Sequence, residues 1–152
     1  MTGFTGAEPV ENDAGFDPLV VARTALLVHI MDADGKTLPE ERATLLRVLA
    51  EAYHLDEDGA ARLIKAGERA DHGATDLYQH TSLLRRSTSE QEREELVRLL
   101  FEIAYADQEL HEGEDALVKR IADLLGVDPR ARVLARREVA SDRGASHIAK
   151  RD

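Results

Sequence analysis

The sequence predicts an all-α protein: a seven-helix bundle built from two repeated helix–loop–helix units. Three observations carry this expectation. Apolar residues recur at the three- and four-residue spacing of helices. No run alternates strictly at two residues between hairpin turns. Residues 26–48 fall on residues 99–121 without a gap when the chain is shifted by 73. The interior has to be aliphatic, because aromatics make up only 4% of the 152 residues and Trp is absent. A chain of this length favours one domain and buries about 68–70% of the surface its unfolded form exposes.

The elements follow from caps and periodicity. Residues 1–16, rich in Gly, Glu, Asp and Thr, read as a disordered leader, and residues 17–140 as the helical domain. Asp17-Pro18 starts the first helix, which carries Leu19, Leu26, Leu27 and Ile30 and stops at Asp34-Gly35. Thr37 and Glu40, spaced as a capping box, open the second helix with Leu45, Val48, Leu49 and Ala52 inward. Asp56 caps a third helix containing Leu63 and Ile64, which ends between Gly67 and Gly73; Thr75 opens a short fourth through Leu84.

Ser87-Thr88-Ser89 with Glu90 and Glu92 offers caps for the fifth helix, whose stripe is Leu96, Leu99, Leu100, Ile103 and Ala104. The sixth presents Leu117, Ile121, Leu124 and Leu125 and ends at Gly126. Asp128-Pro129 begins the seventh, with Val133, Leu134 and Val139 as its apolar residues. After Ser141 the chain is expected to fray, leaving residues 141–152 as a flexible basic tail. The expected core is Leu27, Ile30, Leu45, Val48, Leu99, Leu100, Ile103, Leu117, Ile121 and Leu124.

In the repeat, Leu26 meets Leu99, Ile30 meets Ile103, Asp34 meets Asp107, Glu41 meets Glu114 and Val48 meets Ile121. Chance aligns Leu with Leu in any two helices, but less readily the Ala-Asp turn and the Glu seven residues beyond it. Two stretches carry a resemblance to a known family: Ile30-Met31-Asp32-Ala33-Asp34-Gly35 with Glu41, and Ile103-Ala104-Tyr105-Ala106-Asp107 with Glu109 and Glu114. They resemble the "A-D-G-x, then E" signature of the TerB-like tellurite-resistance family, over a span from about Asp17 to Val139. Gln108 departs from it, standing where Gly is usual. The resemblance implies a helical bundle associated with bacterial stress and tellurite resistance. It also implies kinship with domains in membrane-associated assemblies and on DnaJ-type co-chaperones, and no known enzymatic reaction.

Charge and chemistry bound the function. From Arg130 onward seven basic residues face three acids, a net +4; the remaining 13 basic and 27 acidic residues leave −14 on the body. An acidic body repels phosphate backbones, which argues against nucleic acid as the main ligand. Cysteine is absent, which removes disulfides, thiolate nucleophiles and zinc–thiolate sites. The first residues hold no apolar run like a signal peptide, and no stretch approaches the ~18 apolar residues of a membrane span, so cytoplasm is the expected compartment, with peripheral membrane assembly open. There is no nucleophile elbow, Walker loop or dinucleotide fingerprint, and catalytic residues are assigned to none.

The candidate site is the pair of acidic turns. With Gly35 placed sixth in a calcium loop, Asp32, Asp34 and Glu41 fall at positions three, five and twelve. Position one is Ile30 in one copy and Ile103 in the other, so neither is an ordinary EF-hand. Two readings stand side by side. Asp34, Glu41, Asp107, Glu109 and Glu114 either ligate a divalent cation, calcium or magnesium by their oxygen donors, or cap helix ends. His111 beside Glu109, Glu112 and Asp115 is the nearest mixed ligand cluster, and Ser146-His147 falls in the expected tail. The expected function is a non-enzymatic acidic interaction module with protein partners. A divalent metal sensor is the alternative, and a hydrolase using the loop carboxylates a more distant one.

Overall fold

The computed structural model describes residues 11–12, 15–33, 35, 38–73, 77–106 and 112–151, with side chains described for these except 12, 112 and 143–151. Seven helices follow a minimal hairpin: β1 (Glu11–Asn12), β2 (Gly15–Phe16), α1 (Pro18–Met31), α2 (Pro39–Tyr53), α3 (Glu57–Gly73), α4 (Tyr78–Ser87), α5 (Glu90–Ala104), α6 (Glu112–Leu125) and α7 (Pro129–Arg151). The chain is all-α, the two-residue ladder being too short to form a layer. Among the described residues no helix is long and apolar enough to cross a membrane.

The expected helix starts are made by the residues that local chemistry demands. Asp17 accepts from the Leu19 amide at 2.8 Å, Asp56 from the Gly59 amide at 2.7 Å and Asp128 from the Arg130 amide at 2.7 Å, each satisfying an amide that no helical carbonyl can reach. Ser89 and Glu92 form the reciprocal box at the head of α5. The box expected at Thr37 and Glu40 is displaced by one residue. Leu38 is the N-cap of α2 and its amide donates to Glu41 Oε1 at 3.1 Å, while Thr37 and Thr75 lie outside the described residues. The helix is set by Pro39 at its first position, which leaves Glu41, not Glu40, three residues after the cap.

Burial is organised around α1. Ten of its fourteen residues are buried, on every side of the helix, and it packs most extensively on α3 and also on α2, α4, α5 and α6. A helix apolar all round belongs in the centre of a bundle. Helices α2 to α6 cover it, and α5 in turn packs on α6 and α7. Leu27, Ile30, Leu45, Val48, Leu100, Ile103 and Ile121 are buried as expected. Leu99, Leu117 and Leu124 are only half-buried, and Val97, Phe101, Val118 and Ala122 take the deeper positions. The correction is a shift of one residue, about 100° around the helix, which turns the buried stripes toward the several helices that α5 and α6 each pack on.

The structure also describes parts of the stretches expected as leader and tail. In the leader, Glu11 pairs across the hairpin with Phe16, and its carboxylate meets Arg62 on α3 at 2.9 Å, with Phe16 against the core. At the other end, α7 is helical to Arg151, within the stretch expected as tail.

The close contact between α1 and α3 requires a glycine. A Cβ on Gly67 would stand 2.6 Å from Thr24 Cγ2 and 3.1 Å from the Thr24 carbonyl carbon, and Thr24 is fully buried with its hydroxyl bonded to the Val20 carbonyl. Gly67→Ala should therefore lose up to about 2 kcal/mol of stability, overpacking of about 1–3 kcal/mol set against a helix-propensity gain of about 1 kcal/mol. Gly113→Ala, where nothing lies within 4 Å of the added carbon, should be neutral or gain up to about 1 kcal/mol. Denaturant unfolding of both variants checks this; equal behaviour would contradict the packing account.

Candidate functional site

The two acidic turns leave their helices with the same backbone geometry. At the end of α1, Asp32 has φ −96° and ψ 8°, and its amide bonds to the Val28 carbonyl at 2.9 Å. Seventy-three residues on, Tyr105 ends α5 with φ −93° and ψ 8°, bonding to the Phe101 carbonyl at 2.9 Å. The next residues match as well, the Ala33 amide reaching Ile30 O at 3.2 Å and the Ala106 amide reaching Ile103 O at 3.1 Å. Gly35 then takes φ +76°, a left-handed conformation that costs an L-residue about 1–2 kcal/mol, which is why a glycine suits the first turn. The turns that follow α2 and α6 also agree. The Leu55 amide reaches back to Ala50 O and the Val127 amide to Ala122 O, both at 3.0 Å, around His54 and Gly126 in left-handed conformations.

Of the five residues expected to hold a cation, Asp34, Asp107 and Glu109 lie outside the described residues, as does His111. Glu41 and Glu114 are described, and both are buried, at 4% and 7% exposure. Neither is without an interaction partner. Glu41 spends one oxygen on the Leu38 amide, so it does serve as a helix-start acceptor. A solvated cap, however, does not need burial, and withdrawing a carboxylate from water costs several kcal/mol unless it is compensated. Among the described residues no three His, Asp or Glu side chains gather as a metal-holding group.

The structure also assembles polar groups that periodicity did not single out. Arg23, inside the buried helix α1, is 6% exposed; its guanidinium meets Glu92 of α5 at 2.8 Å and donates to the Tyr53 hydroxyl of α2 at 3.4 Å. Glu92 is thereby both the capping acid of α5 and the counter-ion of a buried cation. Burial pushes the Tyr53 hydroxyl above its usual pKa, and Arg23 partly offsets this. The signal was present in the sequence: a lone Arg in the apolar run Val20-Val21-Ala22-Arg23-Thr24-Ala25-Leu26 has to be paired if that helix is central.

A second cluster lines the groove between α5 and α7. Arg98 is shared by Glu102 at 2.9 Å, Asp142 at 3.1 Å and Glu138 at 3.5 Å. Beside it Glu95 is half-buried, and burial raises its carboxyl above the usual value; Arg98 pulls it down, while Glu102 and Glu138 push it up.

An all-α bundle of seven helices, one of them largely buried among the others, with acidic turns leading into buried glutamates, defines a helical scaffold class. Comparison with family models identifies it: residues 20–137 match the tellurite resistance protein TerB, and the chain belongs to the TerB family. The match spans α1 to the middle of α7, including both acidic turns. Searches of curated proteins and of solved structures gave no match.

The Glu95 environment sets a pH dependence. Its folded pKa is raised, so its contribution to stability is fully present below about 4.5 and is lost as pH rises through the raised value. Glu95→Gln should therefore stabilise the protein at about pH 7, with the gain vanishing at about pH 4, where both states of the native carboxyl are largely protonated. Urea melts at the two pH values check this, and an equal effect at both would contradict it.

Proposed function

We propose that this TerB-family protein is a non-catalytic interaction module of a tellurite-resistance-type stress assembly in bacteria. It presents its acidic body to protein partners, and a weakly held divalent cation at the paired acidic turns modulates that surface. The observation that carries the reading is the burial of Glu41 and Glu114 at matching positions heading α2 and α6. In both halves a carboxylate is withdrawn from water directly after an acidic turn, an arrangement suited to completing a cation's oxygen shell from the protein side. The module reading draws on the division of charge, −14 on the body and +4 from Arg130 on, and on membership of the family. The repeated units fit duplication of one helix–loop–helix, each half supplying one turn. Asp34 and Glu41 are the ligands from the first unit, Asp107, Glu109 and Glu114 those from the second, and oxygen donors select calcium or magnesium over softer metals.

With position one of each turn apolar, the affinity belongs with the weakest calcium modules, about 10⁻⁴–10⁻³ M. A ligand of that affinity at about 10 mM stabilises the folded state by about 1–3 kcal/mol. Thermal unfolding with and without calcium, then magnesium, should show a higher Tm for the native chain and a smaller rise for Asp107→Asn and Glu114→Gln. No shift in the native protein, or equal shifts in the variants, would reduce these carboxylates to structural roles. If low-salt capture from native lysate recovers no protein partner, the module reading fails separately.

A further inference from the structure

The exposed face of α7 carries an apolar side chain between flanks of opposite charge. Leu134 is 56% exposed and neighbouring Val133 36%, conspicuous exposures for branched apolar side chains in a protein whose other large aliphatics are buried or half-buried among the described residues. Leu134 forms a ridge between two depressions. One is lined by Arg130, Val133 and Arg137; the other, toward α5, by Glu94, Glu95 and Glu138. The apolar ridge thus has arginines on one flank and carboxylates on the other. Helical periodicity gives the same layout: with Leu134 at the centre, Arg130 and Arg137 lie about 40–60° to one side and Glu138 about 40° to the other.

This polarity selects both occupant and orientation. When two helices pair in parallel, each flank faces the opposite flank of the partner; when they pair antiparallel, like flanks meet. An antiparallel pair would set arginine against arginine. A parallel pair sets Arg137 of each copy against Glu138 of the other and brings Arg130 toward the partner's Glu94, with Leu134 against Leu134 near the two-fold axis. We propose that the protein self-associates through α7 in this parallel, two-fold arrangement. The interface is isologous, so it closes as a dimer and not as a filament.

Two further observations fit. The acidic flank is short of cations, because the one arginine within it, Arg98, is already divided among Glu102, Glu138 and Asp142. Burial also holds the Glu95 carboxyl above its usual pKa, so an arginine supplied by a partner improves its environment. Each copy carries a net charge of −10 and repels another except where basic meets acidic, and the stretch from Arg130 is the part of the chain with basic excess. A contact confined to one helix face and its flanks makes a weak, reversible dimer. The proposal stands independently of the cation site and of any other partner.

Sedimentation velocity on the full chain tests it over about 10–300 μM, the range in which small interfaces associate. The native protein should rise with concentration from 16.8 kDa toward twice that mass. Arg137→Glu and Glu138→Arg, each folded by circular dichroism, should each lose self-association by at least about tenfold, because each sets like charges together. Mixed in equal amounts, the two variants should associate again. In the mixed pair the introduced carboxylate faces the introduced guanidinium on one side, and the native pair is kept on the other. Leu134→Asp should be monomeric throughout. Should Glu138→Arg not fold, the native concentration series with Leu134→Asp decides alone. A native chain monomeric throughout, or variants that do not restore each other on mixing, would overturn the proposal, and in the first case an acidic peptide becomes the ligand to try on this face.

Discussion

A helix buried on all sides has to satisfy every group it carries from within the protein, and α1 imposes that constraint on everything around it. Its apolar residues require cover from α2, α3, α4, α5 and α6 together, so no subset of these helices completes the core. Its one charged residue inside the core, Arg23, requires a counter-ion, which Glu92 supplies from the first turn of α5. The α3 backbone must come close to it, which Gly67 permits against Thr24. Removing an unpaired buried guanidinium from water costs far more than a lost surface pair, so the Arg23–Glu92 contact serves chiefly to avoid a penalty. It also ties α1 to α5 across sixty-nine residues of sequence.

Much of this was legible because it is local. Asp17, Asp56, Ser89 and Asp128 each announce a helix start within three residues, and the structure uses all four. Seven helices follow from caps and periodicity alone. What escaped the sequence depends on neighbours. Periodicity ranks Leu99, Leu117 and Leu124 as core, but which side of a helix is deepest is decided by how many others surround it, and Val97, Phe101 and Val118 win on that count. Thr37 looked like a cap, yet Pro39 sets where α2 begins and makes Glu41 the capping acid. The hairpin at Glu11–Phe16 rests on an ion pair with Arg62, fifty-one residues away, which no local pattern encodes.

The candidate site shows the same division. Recurrence at a shift of 73 singled out Glu41 and Glu114, and both are buried at the head of a helix. Burial itself was not readable, since a Glu in a first turn is ordinarily solvated and favoured there by the helix dipole. The turn geometry at Asp32 and Tyr105 agrees although the side chains differ, so the backbone, more than the acid, is the common feature. The Arg98 cluster was invisible because its members come from α5 and α7, forty residues and more apart. The charge asymmetry could be counted from the sequence, but only the packed helices show that Leu134 stays exposed and that Glu94 and Glu95 of α5 join its acidic flank.

If α1 is the element on which the bundle depends, it should have no route to solvent short of complete unfolding. Native-state hydrogen exchange measured across a denaturant series reads this residue by residue. The amides of Ala25 to Ile30 should exchange only through the global transition, with the full unfolding free energy and full denaturant dependence, while the outer turns of α4 and α7 exchange through smaller openings. Exchange of the α1 amides by a partial opening, with α5 and α6 still protected, would contradict the central place given to this helix.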